Sequence, residues 1–130
     1  TSPFPKWFNA WKNDQVVRPF SDLVFAPISL DFVGKSLGVL GERPVSGNLH
    51  LSGAENITYF EFAKALADRI GVPSSLIEPT ISVDMGVKVL FLPRYGGLGM
   101  KKTSELTGIF SESLESVVGG ICVSYLKAYK

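Results

Sequence analysis

The sequence predicts a small α/β unit with several helices and a few short strands, too few for a complete doubly wound sheet. Three observations lead there. Helix-period apolar stripes alternate with short strand-like runs in the order helix, strand, helix, strand, helix, strand, helix. Across Gly47–Ile70 (GNLHLSGAENITYFEFAKALADRI), an alternating segment runs directly into a capped amphipathic helix. The chain's 130 residues, 45% hydrophobic and 19% charged, match one globular domain with a modest core.

Each element has a local cause. In Pro3–Asn13, Trp7, Phe8 and Trp11 fall on one side of a short helix, whose aromatic face is expected to pack on a partner surface. Val16–Phe20 is strand-like but holds Pro19, which favours an edge or a strand end. Phe20–Ile28 mixes Ser, Asp and Pro with apolar residues and reads as an irregular loop. Ser29 is the expected N-cap of a helix over Leu30–Gly41, with Leu30, Val33, Leu37 and Leu40 forming one buried stripe.

Arg43–Asn48 reads as a turn. Asn48–Ser52 alternates and is expected to be a strand with Leu49 and Leu51 on its apolar face. Thr58-x-x-Glu61 is a capping box, and the helix behind it is expected to bury Phe62, Ala63, Leu66, Ala67 and Ile70 before ending at Gly71. Leu76–Val83 is a strand candidate despite Pro79, and the apolar run Val87–Leu92 suits a strand or a buried helix. Pro93–Met100, with three glycines, is a loop. Thr103–Leu106 suggests one helical turn. Ser111 is the expected cap of a final helix Glu112–Tyr129 that buries Leu114, Val117, Val118, Ile121 and Tyr125.

Composition narrows the function classes. A net charge of +1 with scattered basic residues points to neither nucleic acid nor an anionic membrane, and the Lys101-Lys102 pair reads as solvated. No apolar run reaches the roughly 18 residues of a membrane span. The single Cys122 allows no internal disulfide and reads as a small core residue, which favours a reducing, cytoplasmic setting. His50 and Cys122 lie far apart with no carboxylate cluster near either, so no metal site is expected. Asn56-Ile57-Thr58 is better explained as a helix start than as a glycosylation acceptor. The sequence opens at Thr1 rather than methionine, which suits either a trimmed terminus or a chain cut from a longer one.

Hydride-transfer chemistry has two sequence requirements, and neither is met. A dinucleotide loop needs glycines at fixed offsets between a strand and a helix. Gly34, Gly38 and Gly41 sit in a helix pattern, and Gly96, Gly97 and Gly99 follow no clear strand. A Tyr-x-x-x-Lys pair sets a proton-donating tyrosine one helical turn from a lysine. The residues four beyond Tyr59, Tyr95 and Tyr125 are Ala63, Gly99 and Tyr129. A serine triad lacks its nucleophile elbow as well.

The run Pro19–Leu37 (PFSDLVFAPISLDFVGKSL), followed by Gly47, His50, Ser52 and Gly53, resembles the C-terminal part of extended short-chain dehydrogenases that modify sugar nucleotides. The dTDP-4-dehydrorhamnose reductase type is the nearest in pattern. Ala26-Pro27-Ile28-Ser29 matches the Pro-x-Ser/Thr loop that follows a buried strand in that family and leads into a helix closing over substrate. Pro93, Arg94, Leu98 and Glu105–Leu106 resemble its later Arg-Pro loop, with Pro and Arg reversed. The resemblance covers roughly Val16 to Val118 and rests on order and spacing.

It implies that residues 1–130 are a single substrate-binding portion of a Rossmann-type enzyme, lacking the N-terminal dinucleotide-binding domain. NAD(P) would belong to the full-length parent, with no cofactor site and no catalytic residue in this chain. The implied substrate-binding residues are Ser21, Asp22, Pro27, Ser29, Arg94 and Leu98. Asp22 and Ser29 would meet sugar or ribose hydroxyls, and Arg94 a pyrophosphate. From the residues alone, Ser29 is a helix cap and Arg94 a surface arginine in a loop. The expected partners are a nucleotide sugar, the missing Rossmann domain and, through exposed apolar surface, a second copy. The alternative is a non-catalytic, reductase-like regulatory or interaction module that docks through Trp7–Trp11.

Overall fold

The best-defined helix in the chain starts where its amides find acceptors. Helix α3 (Tyr59–Ile70) is the fifth of the regular elements in chain order in a computed structural model that describes residues 2–128. An α-helix leaves its first backbone N–H groups without intrahelical partners. Here the Tyr59 amide donates to the Leu23 carbonyl at 3.2 Å and the Phe60 amide to the Phe20 carbonyl at 2.9 Å. The Glu61 amide donates to Thr58 Oγ1 at 3.1 Å, while the Glu61 carboxylate accepts from the Thr58 amide at 2.8 Å. The expected capping box is therefore present. At the other end Gly71 adopts the left-handed conformation, φ 76°, that terminates helices.

Around α3 the order is α1 (Phe4–Lys12), β1 (Val24–Phe25), α2 (Leu30–Gly41), β2 (Ile57–Thr58), α3, two 3₁₀ turns (Ser74–Leu76 and Ser82–Met85), α4 (Lys101–Thr107) and α5 (Leu114–Ala128). Strands β1 and β2 pair antiparallel, with Val24 opposite Thr58 and Phe25 opposite Ile57. The segment read as an irregular loop thus contains a short strand. Val16–Phe20 and Leu76–Val83 meet in parallel through single bridges, Val17 with Ile77 and Phe20 with Thr80. Pro19 and Pro79 lack the amide a continuous ladder needs, so the two runs stop short of regular strands.

The core is built from α3, α5 and the aromatic face of α1. Phe62, Ala63, Leu66 and Ala67 are fully buried, as expected, with Val117, Val118 and Cys122 beside them and Ile70 at the margin. Trp7, Phe8 and Trp11 are buried in this same core rather than held out for a partner. The Phe4 ring centroid lies 5.0 Å from that of Phe62, and Phe8 stacks on Tyr125 at 3.9 Å. Trp11 Nε1 donates to the Leu76 carbonyl at 3.3 Å, so a buried indole keeps its hydrogen bond. The docking face invoked for a non-catalytic module is consumed inside the chain.

Three further expectations are corrected. The Leu30, Val33, Leu37, Leu40 stripe is not buried. Leu30 is 90% and Leu37 59% exposed, and within α2 only Ser36 is buried. Asn48–Ser52 forms no strand, because no neighbouring backbone ladders with it; the nearest pairing is the single bridge of Gly53 with Glu112. Ser111 does not cap the last helix. The Leu114 amide lies 3.4 Å from Glu55 Oε1, and Ser113 Oγ accepts from the Ser116 amide at 3.2 Å, so Ser113 is the cap.

The Val87–Leu92 run is exposed and irregular. Pro93–Leu98 is irregular too, and α4 extends the expected single turn to Lys101–Thr107. Tyr129, assigned to the final helix, lies outside the described residues. No helix among the described residues is long and apolar enough to cross a membrane.

Candidate functional site

Residues 20–29 form a spine to which the rest of the candidate site is tied. At its first end the Ser21 amide and hydroxyl both donate to the Thr80 carbonyl, at 2.8 and 3.1 Å. Asp22 accepts the Ser82 amide at 2.9 and 3.0 Å and the Ser82 hydroxyl at 2.6 Å. The Ser82 hydroxyl holds the Asp22 carboxyl below its ordinary value of 3.8, against partial desolvation that pushes the other way. The Ser82 amide, shared between both oxygens, and the Ser82 hydroxyl thus engage this carboxylate from within the chain.

Glycine makes the other end possible. A Cβ on Gly53 would land on the Pro27 carbonyl oxygen and 3.0 Å from the Pro27 carbonyl carbon, so Ala26–Pro27 presses on bare backbone. Ser29 then caps α2, accepting from the Phe32 amide at 3.0 Å. Its own hydroxyl donates to Glu112 Oε1 at 2.8 Å and its amide to Glu112 Oε2 at 2.7 Å. Toward a ligand, Ser29 Oγ is thereby an acceptor, since its proton is already directed.

The glycine-rich loop lies alongside the spine. Asn56 Oδ1 accepts from the amides of Gly96 and Gly97, both at 2.7 Å, and Gly96 packs where a Cβ would come within 2.7 Å of Phe25 Cα. The Leu98 amide donates to the buried Ser52 hydroxyl at 3.0 Å while its side chain stays exposed. Arg94 is exposed, its guanidinium carbon 5.6 Å from the Tyr95 ring centroid. The structure therefore brings Pro27, Ser29 and Leu98 around the Ser52-Gly53 step. Ser21 and Asp22 sit at the far end of the spine, against Thr80 and Ser82.

Sequence reasoning missed Glu112 and Asn56. Both lie beside helix starts, where an acidic or amide residue looks like ordinary local capping. Their actual partners are 83 and about 40 residues away. Cys122 is buried in the core, and burial pushes its thiol up against a smaller opposing pull from Arg69. That is the setting of a packing residue rather than a nucleophile. No group of His, Cys, Asp and Glu among the described residues is arranged to hold a metal ion.

The glycines weighed for a dinucleotide loop are not arranged as one. Gly34, Gly38 and Gly41 lie within α2, and the Gly96 and Gly97 amides, which a phosphate would need, already belong to Asn56. An open groove of about 800 Å³ does run between the starts of α1 and α2 and the length of α5. Phe4, Phe8, Leu30 and Ile121 line it, with Ser29 and Glu112 among its polar groups. Of the six substrate-binding residues implied by the sequence, Ser29 alone reaches it.

No protein-family profile and no curated protein sequence matches the chain. Solved structures do. The dTDP-4-dehydrorhamnose reductase of Bacillus anthracis in complex with NADP superposes with a TM-score of 0.81 at 16% identity, over 95% of this chain and 43% of that one. The dTDP-4-dehydrorhamnose reductase of Yersinia enterocolitica gives 0.70 at 21% identity, over 91% and 42%. The Bordetella bronchiseptica enzyme WbmH in complex with NAD+ gives 0.72 at 15% identity, over 99% and 41%. The expected small α/β architecture is thus the fold observed, and it matches one part of these larger structures. The chain has the fold of a portion of dTDP-4-dehydrorhamnose reductase and spans less than half the length of the structures it matches.

Proposed function

We propose that this chain is the sugar-nucleotide-binding portion of an NAD(P)-dependent reductase or epimerase of the dTDP-4-dehydrorhamnose reductase kind. The observation carrying the reading is the fold match over 95% of the chain to 43% of such a reductase. In this reading a separate dinucleotide-binding domain supplies the nicotinamide and the proton donor, and this chain supplies grip. Arg94 presents a planar fork of donors to the pyrophosphate from an exposed loop whose following residues are fixed by Asn56. Ser29 accepts from a sugar or ribose hydroxyl, and Leu98 offers apolar contact. Ser21 and Asp22 hold the far end of the spine, and Pro27 sets the turn that aims Ser29.

The surface left by α2 and by residues 83–92, with Leu30, Leu37, Leu90 and Phe91 exposed, is apolar enough to be a contact face for the dinucleotide-binding domain or a second copy. The setting proposed is cytoplasmic. The test is equilibrium dialysis of the purified chain against dTDP-glucose, with dTDP and glucose 1-phosphate as partial ligands. Saturable binding that weakens about tenfold or more in Arg94→Ala supports the reading, since a charge-assisted phosphate contact contributes about that much. Binding indifferent to Arg94, or none, overturns it. The chain alone is expected to leave NADPH unoxidised with any 4-keto sugar nucleotide, and measurable turnover would contradict the division of labour.

A further inference from the structure

Helix α2 is attached to the rest of the molecule in an unusual way. Twelve residues long, it buries only Ser36, and that hydroxyl bonds back to the Phe32 carbonyl of the same helix at 2.7 Å. The other hydrogen bonds and ion pairs of residues 30–41 among the described residues are also local, for example Lys35 Nζ to Asp31 at 2.6 Å, and Lys35 in addition feels the Glu112 charge. The polar tie to the body is made one residue earlier, at Ser29, and Glu112 makes it. The Glu112 carboxylate accepts from the Ser29 amide at 2.7 Å, the Ser29 hydroxyl at 2.8 Å and the Ser116 hydroxyl at 3.0 Å. Its backbone is fixed in turn, its carbonyl accepting from the Ala54 amide at 2.8 Å beside the Gly53 bridge.

We propose that Glu112 is the positioning residue of the candidate site: it fixes where α2 begins and which way the Ser29 proton points. This rests on the reading that Ser29 faces a sugar nucleotide. One carboxylate sits at the N-terminal ends of both α2 and α5, where the helix dipoles favour negative charge. By taking both donors of Ser29 it leaves the hydroxyl oxygen as an acceptor alone, so a ligand hydroxyl at Ser29 must be a donor. Were Ser29 Oγ–H to turn to the ligand, Glu112 Oε1 would lose the shorter of its two hydroxyl donors and keep only Ser116.

The experiment follows backbone amide exchange by NMR in the full chain and in Glu112→Ala, Glu112→Gln and Ser116→Ala, with a dTDP-glucose titration of each. Loss of the clamp is expected to speed exchange in α2 about tenfold or more in Glu112→Ala, while the α3 amides of Phe62–Ala67 keep their rates. Glu112→Gln, which keeps the shape and one acceptor, falls between, and Ser116→Ala stays near wild type in α2. The dTDP-glucose affinity falls together with α2 protection, and Ser29→Ala adds nothing in a Glu112→Ala background. Unchanged α2 exchange overturns the proposal, as does faster exchange spread equally over α2, α3 and α5, which marks a general stability loss. Should Glu112→Ala fail to fold, Glu112→Gln carries the same comparison. If no form binds dTDP-glucose, the sugar-nucleotide reading fails, while the exchange pattern still decides the role of Glu112.

Discussion

Replacing Gly53 with alanine puts a methyl group onto the Pro27 carbonyl oxygen, 3.0 Å from the Pro27 carbonyl carbon and 3.1 Å from that of Ala26. All three neighbours are backbone atoms, so relief requires moving the 26–27 turn or the 53–54 segment. The second of these holds Glu112 through the Ala54 amide at 2.8 Å, and Glu112 holds Ser29. Overpacking of this kind costs about 1–3 kcal/mol. The smaller unfolded-state entropy of alanine offsets about 0.4–1 kcal/mol, leaving a net loss of about 1–2 kcal/mol. At about 4 °C per kcal/mol for a domain near this size, Tm falls by about 4–8 °C. The assay is thermal unfolding by circular dichroism beside Gly34→Ala, where the added Cβ meets nothing within 4 Å. There alanine removes a helix-interior glycine and is expected to raise stability by up to about 1 kcal/mol. A Gly53→Ala protein that melts at or above wild type refutes the close-approach argument.

Phe62, with no exposed surface and ring contacts to Phe4 and Phe25, is the centre of the core, and Phe62→Ala should cost about 3–5 kcal/mol in urea unfolding. A loss below 1 kcal/mol would mean that this core has collapsed around the gap or was never closed. Thr58→Ala removes one arm of the capping box and should cost about 1 kcal/mol, read as a lower urea midpoint at unchanged slope. Asp22 has its folded-state pKa below the ordinary 3.8, so its tie to Ser82 adds stability above that pH and loses it as pH falls through the folded value. Asp22→Asn should therefore melt below wild type at pH 7, with the gap closing as pH falls through the folded value; a gap that persists in stronger acid would point to shape rather than charge.

Local chemistry was legible. Ser29 and Thr58 cap because their hydroxyls reach an amide three residues on, and Gly71 ends α3 because glycine tolerates positive φ. The stripe of α3 was legible as core because its apolar positions have α5 and α1 to cover them. The same logic failed for α2. Periodicity tells which side of a helix is apolar but not whether anything covers it, and Leu30 and Leu37 face solvent. It failed in the opposite sense for Trp7, Phe8 and Trp11, assigned to a partner surface and found in the chain's own core.

Alternation in Asn48–Ser52 named two faces, yet a strand also needs a neighbour to ladder with, and only Gly53 found one. The candidate site was legible as segments rather than as contacts. Pro27, Ser29 and Leu98 meet around Ser52-Gly53, but the residues that hold them, Glu112 and Asn56, act across long sequence separations. No local pattern encodes such a pairing.

The most direct test of the central claim is an amide chemical-shift map of the labelled chain during titration with dTDP-glucose. The account predicts saturable shifts clustered at Ser29, Arg94 and Leu98, with the α3 core residues Phe62, Leu66 and Ala67 unmoved. Shifts confined to other surfaces, or none at millimolar ligand, would contradict the assignment of this chain as a sugar-nucleotide-binding portion.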